Sequence, residues 1–255
     1  MNDIRIVSVT SGNVDQETLF CIKNIKKPGY EQKKQWFEKR YEEGLRMMIL
    51  KDGVGRMIAF IEYMPADKAW RPVDAPGYMF IHCMMVYGKN EKGKGYGSIL
   101  IEDCENRARS EGMQGVCTMT SKGAWIYDKS IFEKNGYKEY GKRGRFELMA
   151  KKFDEKAADP KLINWEARQK EYSGWHLIYA DQCPWHEKSV NDISKVAREN
   201  EIVMNVHKLE SSEEAKNAPS GFGVFSLLHD GKLLEDHYIS ATRFKNILKK
   251  ELKNK

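Results

Sequence analysis

The stretch Lys92-Gly93-Lys94-Gly95-Tyr96-Gly97-Ser98 has the residue types of an anion cradle. Its glycines let backbone approach a pyrophosphate with no side chain between, and Lys92 and Lys94 supply cations. A glycine turn that opens a helix adds unpaired N–H groups and the positive end of the helix dipole, so it can hold phosphate. The triphosphatase loop is excluded, because the Lys-Ser/Thr pair it needs after its last glycine is missing. The dinucleotide loop is excluded because Leu100 stands where its third glycine belongs. A plain Lys/Gly surface turn remains compatible with the spacing alone. A second reactive spot is Cys183-Pro184-Trp185-His186, where a thiol opens a predicted helix and the dipole favours thiolate. Cys183 and His186 fall short of the four ligands that zinc prefers, so no metal site is expected.

The elements around the glycine loop are strand, loop and helix. An apolar run from Met79 to Tyr87 feeds into it, and a helix leaves it with Leu100, Cys104 and Ala108 at i, i+4 and i+8 beside Ile101. Glu102, Asp103, Glu105 and Arg109 take the other face, and Gly112 closes the helix.

Before this centre, Ile4 to Thr10 reads as a strand and Asp15 to Asn24 as a helix with Asp15 as N-cap. Lys26-Lys27-Pro28-Gly29 breaks it, and residues 31 to 43 form a second helix ended by Gly44. Leu45–Lys51 and Arg56–Met64 read as a hairpin turning at Asp52-Gly53, followed by an irregular loop from Pro65 to Gly77. After the centre come a strand at Gly115–Ser121, a helix at Tyr127–Asn135 and a hairpin over 137–141 and 145–152.

Residues 153–174 are charged around Asp159-Pro160 and read as a linker between domains at 1–152 and 175–255. The second domain reads strand Trp175–Ala180, helix Pro184–Asn200, strand Ile202–Val206, a hairpin over 223–228 and 232–239, and a helix capped by Ser240.

The 255 residues suffice for two packed cores, and 41% hydrophobic with 31% charged residues is ordinary for a soluble globular chain. No apolar run reaches the length of a bilayer span, and the start Met1-Asn2-Asp3-Ile4-Arg5 lacks the regions of a signal peptide, so a cytoplasmic protein is expected. Five cysteines without framework spacing read as reduced thiols. A net charge of +6 spread along the chain argues against nucleic acid as the main ligand and is compatible with a polyanionic cofactor; no membrane partner is expected.

Lys92-x-x-Gly95-x-Gly97 resembles the acetyl-CoA loop of the GCN5-related N-acetyltransferase (GNAT) superfamily, and Ile131-Phe132-Glu133-Lys134-Asn135-Gly136-Tyr137 resembles that superfamily's aromatic-Glu-Lys-x-Gly-aromatic segment. The resemblance covers residues 3 to 152. It implies an α/β (α+β) fold, a mixed sheet with flanking helices, in which the strand at 79–87 and the one at 115–121 splay apart around the pantetheine arm. Acetyl-CoA is then the co-substrate, held by Lys92, Gly93, Lys94, Gly95, Tyr96, Gly97, Ser98 and Phe132. A backbone N–H of Met85 or Val86 becomes the oxyanion donor.

For the base, histone-acetylating members carry glutamate where this chain has Phe80, whereas arylalkylamine-type members carry histidine at the place of His82. An imidazole near its free pKa suits proton removal from an amine. By two-residue alternation His82 shares a face with Val86. Glu62 is a second candidate base. The superfamily's usual acid, a tyrosine, is Phe132 here, so Tyr127 is the candidate substitute.

The second domain resembles the thioredoxin fold, with Cys183-Pro184-Trp185-His186 at the place of its Cys-x-x-Cys, and the two-domain order resembles the YoaP-type acetyltransferases. His186 replaces the resolving cysteine and Gly223 stands near the place of the cis-proline, which argues against dithiol exchange and for Cys183 as a lone thiol that binds a thiol ligand. The implied function is acetyl transfer to an amine of a small molecule or peptide. The competing reading is a non-catalytic protein that binds or senses acyl-CoA or a thiol ligand.

Overall fold

The computed structural model describes residues 4–19, 21–22, 24–123 and 126–253. The chain forms two compact units: Met1–Lys23 with Phe37–Ala69 and Val73–Leu162, and Asn24–Trp36 with Trp70–Pro72 and Ile163–Lys255. The residues expected as a linker are therefore divided between the two units.

In chain order the elements up to Leu162 are β1 (Ile4–Val9), α1 (Val14–Glu17), α2 (Tyr30–Tyr41), β2 (Arg46–Asp52), β3 (Met57–Pro65), β4 (Val73–Asp74), β5 (Tyr78–Val86), α3 (Tyr96–Ser110), β6 (Gly115–Ser121), α4 (Ser130–Lys134), β7 (Lys138–Arg143), β8 (Phe146–Lys152) and β9 (Lys161–Leu162). Seven strands make one sheet in the order β1-β2-β3-β5-β6-β8-β7. Only β5 and β6 among these neighbours run parallel. Parallel neighbours need a crossover, and α3 supplies it.

Local chemistry accounts for the elements. The β2–β3 hairpin turns where Asp52 accepts from the backbone N–H groups of Val54 and Arg56 at 3.2 and 2.8 Å. Helix α3 buries Leu100, Ile101, Cys104 and Ala108 completely. They pack with Ala59, Ile61 and Tyr63 of β3 and Met79, Ile81 and Met84 of β5 in one core. Each fully buried Leu, Ile or Met among them contributes about 1.5–3 kcal/mol. Glu105, expected on the solvent face, is buried, and Lys151 Nζ of β8 reaches it at 2.6 Å. An apolar stripe pattern does not reveal a cation waiting on a neighbouring strand.

Three sequence expectations change. The first helix spans Val14–Glu17 instead of 15–24, and Asn13 takes the N-cap position expected for Asp15. Thr18 turns to φ 61° there, and Leu19 and Ile22 are buried and bridged to each other, so core burial ends the helix early. Residues 20 and 23 of that expected helix lie outside the described residues. Helix α4 starts at Ser130, not at Tyr127, whose carbonyl accepts from the backbone N–H of Ser121 at 3.1 Å and so is taken up outside the helix. Within the expected irregular loop, Val73 and Asp74 pair with Leu162 and Lys161.

In the second unit α5 (Glu166–Gln169), β10 (Trp175–Tyr179), α6 (Trp185–Glu199), β11 (Met204–Lys208), α7 (Ser212–Lys216), β12 (Phe225–His229), β13 (Lys232–Glu235) and α8 (Ala241–Lys253) follow in order. The sheet order is β11-β10-β12-β13, with β10 parallel to β11 and the other pairs antiparallel. Helix α6 buries His186, Ser189, Val190, Ile193, Val196 and Ala197. From α8, Phe244, Ile247 and Leu248 are buried, and Ser240 Oγ caps it by accepting from Arg243 N. The β12–β13 turn carries Asp230 and Gly231 at φ 48° and 75°, the left-handed pair that a two-residue hairpin requires. Helix α7 was not foreseen; Ser211 caps it by accepting from the Glu214 N–H.

Candidate functional site

Strand β5 carries a β-bulge. Glu62 of β3 faces Cys83 and the next residue, Tyr63, faces Ile81, which leaves His82 as the extra residue. The bulge shifts the side-chain alternation: Met79 and Ile81 face the core under α3, and after it Met84 and Val86 do so. His82 therefore does not share a face with Val86, contrary to the two-residue alternation. It lies on the opposite face with its ring 5.1 Å from that of Phe80, and it is buried. Alternation on β3 puts Glu62, also buried, on that same face, because Ala59, Ile61 and Tyr63 occupy the other. The two candidate bases are thus brought to one face of two adjacent strands.

The parallel ladder between β5 and β6 runs from Tyr78 opposite Gly115 to Ile81 opposite Thr118 and stops. Strand β5 continues to Val86 and β6 to Ser121, so the two diverge from the bulge onward. At the closed end of this fork the Ile81 carbonyl accepts from two side-chain hydroxyls, Thr118 Oγ1 at 2.9 Å and Tyr127 Oη at 3.1 Å. Those two hydroxyls are 2.7 Å apart. Sequence reasoning missed Thr118, since a threonine in a strand is its commonest setting.

Beyond the open end of the fork, Gly95 takes a left-handed conformation, φ 85°, at the N-cap position of α3. Gly93 and Gly95 are exposed, and a Cβ on either would meet nothing within 4 Å, so the loop leaves its backbone accessible. Gly97 does something else. A Cβ there would lie 2.4 Å from Ile131 Cδ1 and 3.3 Å from Met84 Cε, so glycine serves close packing of α3 on α4 and β5. Lys94 Nζ pairs with Glu91 at 2.9 Å, and Arg56 reaches the same carboxylate at 2.9 Å. These two cations hold the Glu91 carboxyl below the usual carboxylate range. Glu91 and Arg56 escaped the sequence reading because one is distant in sequence and the other reads as a surface charge.

Of the other expected residues, Lys92 is exposed, Met85 is 41% exposed and Val86 packs on the core under α3. Tyr96 is buried in that core, and Ser98 Oγ accepts from Asn135 Nδ2 at 3.1 Å, tying α3 to α4. Phe132 is fully buried, with its ring 5.1 Å from that of Tyr127 and 5.2 Å from that of Tyr137. It supports Tyr127 from behind.

In the second unit Cys183 is a half-buried cysteine, in no disulfide, just before α6. His186 is fully buried, and its Nδ1 donates to the Ala180 carbonyl at 2.6 Å. Its ring lies among those of Phe222, Phe225 and Tyr238, and Nε2 has no hydrogen-bond partner among the described residues. Burial pushes its pKa down to about 4, and the charges of Arg71 and Lys33 act in the same direction, so the ring is neutral at pH 7. No group of three or more His, Cys, Asp or Glu side chains able to hold a metal occurs among the described residues. None of the described helices is long and apolar enough to cross a membrane.

Residues 15–125 match the acetyltransferase (GNAT) family and residues 204–246 the YoaP-like family. Across 250 residues, 95% of this chain and 97% of the relative, the sequence is 29% identical to the uncharacterised N-acetyltransferase YoaP of Bacillus subtilis (strain 168). Among solved structures the chain is similar to the PaiA N-acetyltransferase of Thermoplasma acidophilum in complex with coenzyme A, with 15% identity, a TM-score of 0.43, and 59% of this chain and 99% of that one covered. It is also similar to a GNAT family acetyltransferase of Brucella melitensis in complex with acetyl-CoA, with 13% identity, a TM-score of 0.40, and 64% and 96% covered.

Proposed function

We propose that this chain, whose residues 15–125 match the acetyltransferase (GNAT) family, moves an acetyl group from acetyl-CoA to an amine of a small molecule or peptide. One observation carries the reading: a fork between β5 and β6 opens toward a glycine loop at the N-terminus of α3. The loop supplies N–H groups and a helix dipole for phosphates, and the fork supplies unpaired strand backbone for the amides of the pantetheine arm.

Acetyl transfer starts from a reactive thioester, so the protein has to orient it, remove a proton from the amine, hold the oxyanion and protonate the departing sulfur. His82 takes the amine proton, with Glu62 beside it on the same face as the alternative. A backbone N–H of Met85 or Val86, beyond the bulge, holds the oxyanion. Tyr127, at the closed end of the fork, gives the proton to sulfur.

The second unit is read as thioredoxin-like, supported by its strand order and by Cys183 at the β10–α6 junction. Cys183 acts there as a lone thiol toward a thiol-bearing ligand. Under iodoacetamide at neutral pH it is the first cysteine modified, before the buried Cys104 and Cys117 and before Cys21 and Cys83. Peptide mapping that finds another cysteine alkylated first would remove that role. Five cysteines in no disulfide support a cytoplasmic setting.

A panel of primary amines with acetyl-CoA, read by CoA release, tests the main reading. Turnover with any amine supports the enzyme; tight acetyl-CoA binding with no turnover across the panel favours a sensor.

A further inference from the structure

The three oxygen atoms at the closed end of the fork, Ile81 O, Thr118 Oγ1 and Tyr127 Oη, form a triangle of contacts of 2.9, 2.7 and 3.1 Å. Two hydroxyl protons serve three contacts, so the pair has more than one arrangement. When Tyr127 turns its proton elsewhere, Thr118 can donate to the Tyr127 oxygen that the proton leaves behind. Thr118 is fully buried on β6, and Tyr127, outside any helix or strand, is tied to β6 through its carbonyl, which accepts from the Ser121 N–H. Thr118, held in the sheet, therefore sets the position of the Tyr127 hydroxyl it touches.

We propose that Thr118 is the positioning residue for Tyr127: it aims the phenol into the fork and, as a donor, stabilises it as the proton moves to sulfur. The inference rests on the reading that Tyr127 faces the sulfur of acetyl-CoA. In the step concerned, the C–S bond breaks with its electron pair on sulfur, and the Tyr127 hydroxyl proton passes to that sulfur. The proton taken from the amine by the base replaces it through water. Hydrogen bonds in such a chain polarise one another, so removing the Thr118 hydroxyl weakens what Tyr127 donates.

The test needs no acceptor. CoA carrying a carbon-13 label next to sulfur is bound to the full chain, and its thiol is titrated by the shift of that carbon. A donor aimed at sulfur stabilises thiolate, so wild type raises the thiolate-to-thiol ratio of bound CoA about tenfold over free CoA, equivalent to about one pKa unit. Tyr127→Phe abolishes the increase. Thr118→Val removes most of it, Thr118→Ser retains it, and Thr118→Val adds nothing in the Tyr127→Phe background. At pH 7, where CoA is bound as the thiol, affinity stays within about twofold in all of them, since the contact favours thiolate over thiol. A wild-type ratio equal to that of free CoA, or one unmoved by Tyr127→Phe, overturns the reading of Tyr127 and the inference with it. A ratio lowered by Tyr127→Phe and untouched by Thr118→Val, or lowered equally by Thr118→Ser, overturns the inference alone. Should Thr118→Val not fold, Thr118→Ala takes its place against Thr118→Ser.

Discussion

Ile81 faces Thr118 as the last pair joining β5 to β6, and His82, the next residue of β5, is the one squeezed out of the ladder to β3. Fork and bulge thus begin at the same point. On one side β5 lets go of β6, and on the other His82 is turned to the face that carries Glu62. On the proposed reading, one strand irregularity both opens the space for a thioester and sets the orientation of the candidate base His82.

If His82 is the base, His82→Ala lowers turnover by about 10²–10⁴-fold, the usual worth of a general base, and moves the onset of activity to higher pH. Glu62→Gln has the smaller effect, because Glu62 lies one strand farther from the fork. Initial rates against pH for both variants decide the order. A larger loss in Glu62→Gln would reverse the assignment.

If Lys94 binds the phosphates of acetyl-CoA, Glu91 competes with them for it. Glu91→Gln releases Lys94 and Arg56 from their shared carboxylate, so acetyl-CoA binds tighter by a factor on the order of three to ten, and the gain shrinks at high salt. Calorimetric titration at two salt concentrations measures it. Equal or weaker binding in the variant would mean that Glu91 orients Lys94 and does not withhold it.

His186 makes the second unit acid-sensitive. The unfolded chain binds a proton at its imidazole near the ordinary value of 6.5, and the folded chain only near 4. The folded pKa is depressed, so the stabilising contribution is complete above pH 6.5 and is lost as pH falls from 6.5 to 4. Its full size is on the order of 3 kcal/mol. Urea unfolding at pH 7 and pH 5 shows it: wild type loses stability across this interval, and His186→Phe loses markedly less. Parallel losses in the two proteins would show that another group carries the acid sensitivity.

Most strands, the three hairpins and the glycine loop with its helix were legible because each is encoded locally, by alternation, by turn residues such as Asp52-Gly53 and Asp230-Gly231, and by the stripe of Leu100, Cys104 and Ala108. The bulge at His82 was not, since it depends on how β3 and β5 register and every residue of the run Met79–Tyr87 looks alike to a period-two reading. The early stop of α1 was hidden because it is set by burial of Leu19 and Ile22. Gly97 matches the loop pattern in sequence, yet its neighbour Ile131 comes from α4, which no local spacing reveals. Val73–Asp74 and Lys161–Leu162 pair across a separation that propensity cannot see.

Acetyl-CoA binding at the glycine loop is the central claim, and calorimetry on wild type and Gly95→Glu tests it most directly. Gly95 holds a left-handed conformation with open space around it, so Gly95→Asn, which tolerates that backbone, serves as the folded control. Wild type binds acetyl-CoA, Gly95→Asn binds it more weakly, and Gly95→Glu, which puts a negative charge where phosphate would sit, loses at least about tenfold in affinity. Unchanged affinity in a folded Gly95→Glu protein would contradict the claim.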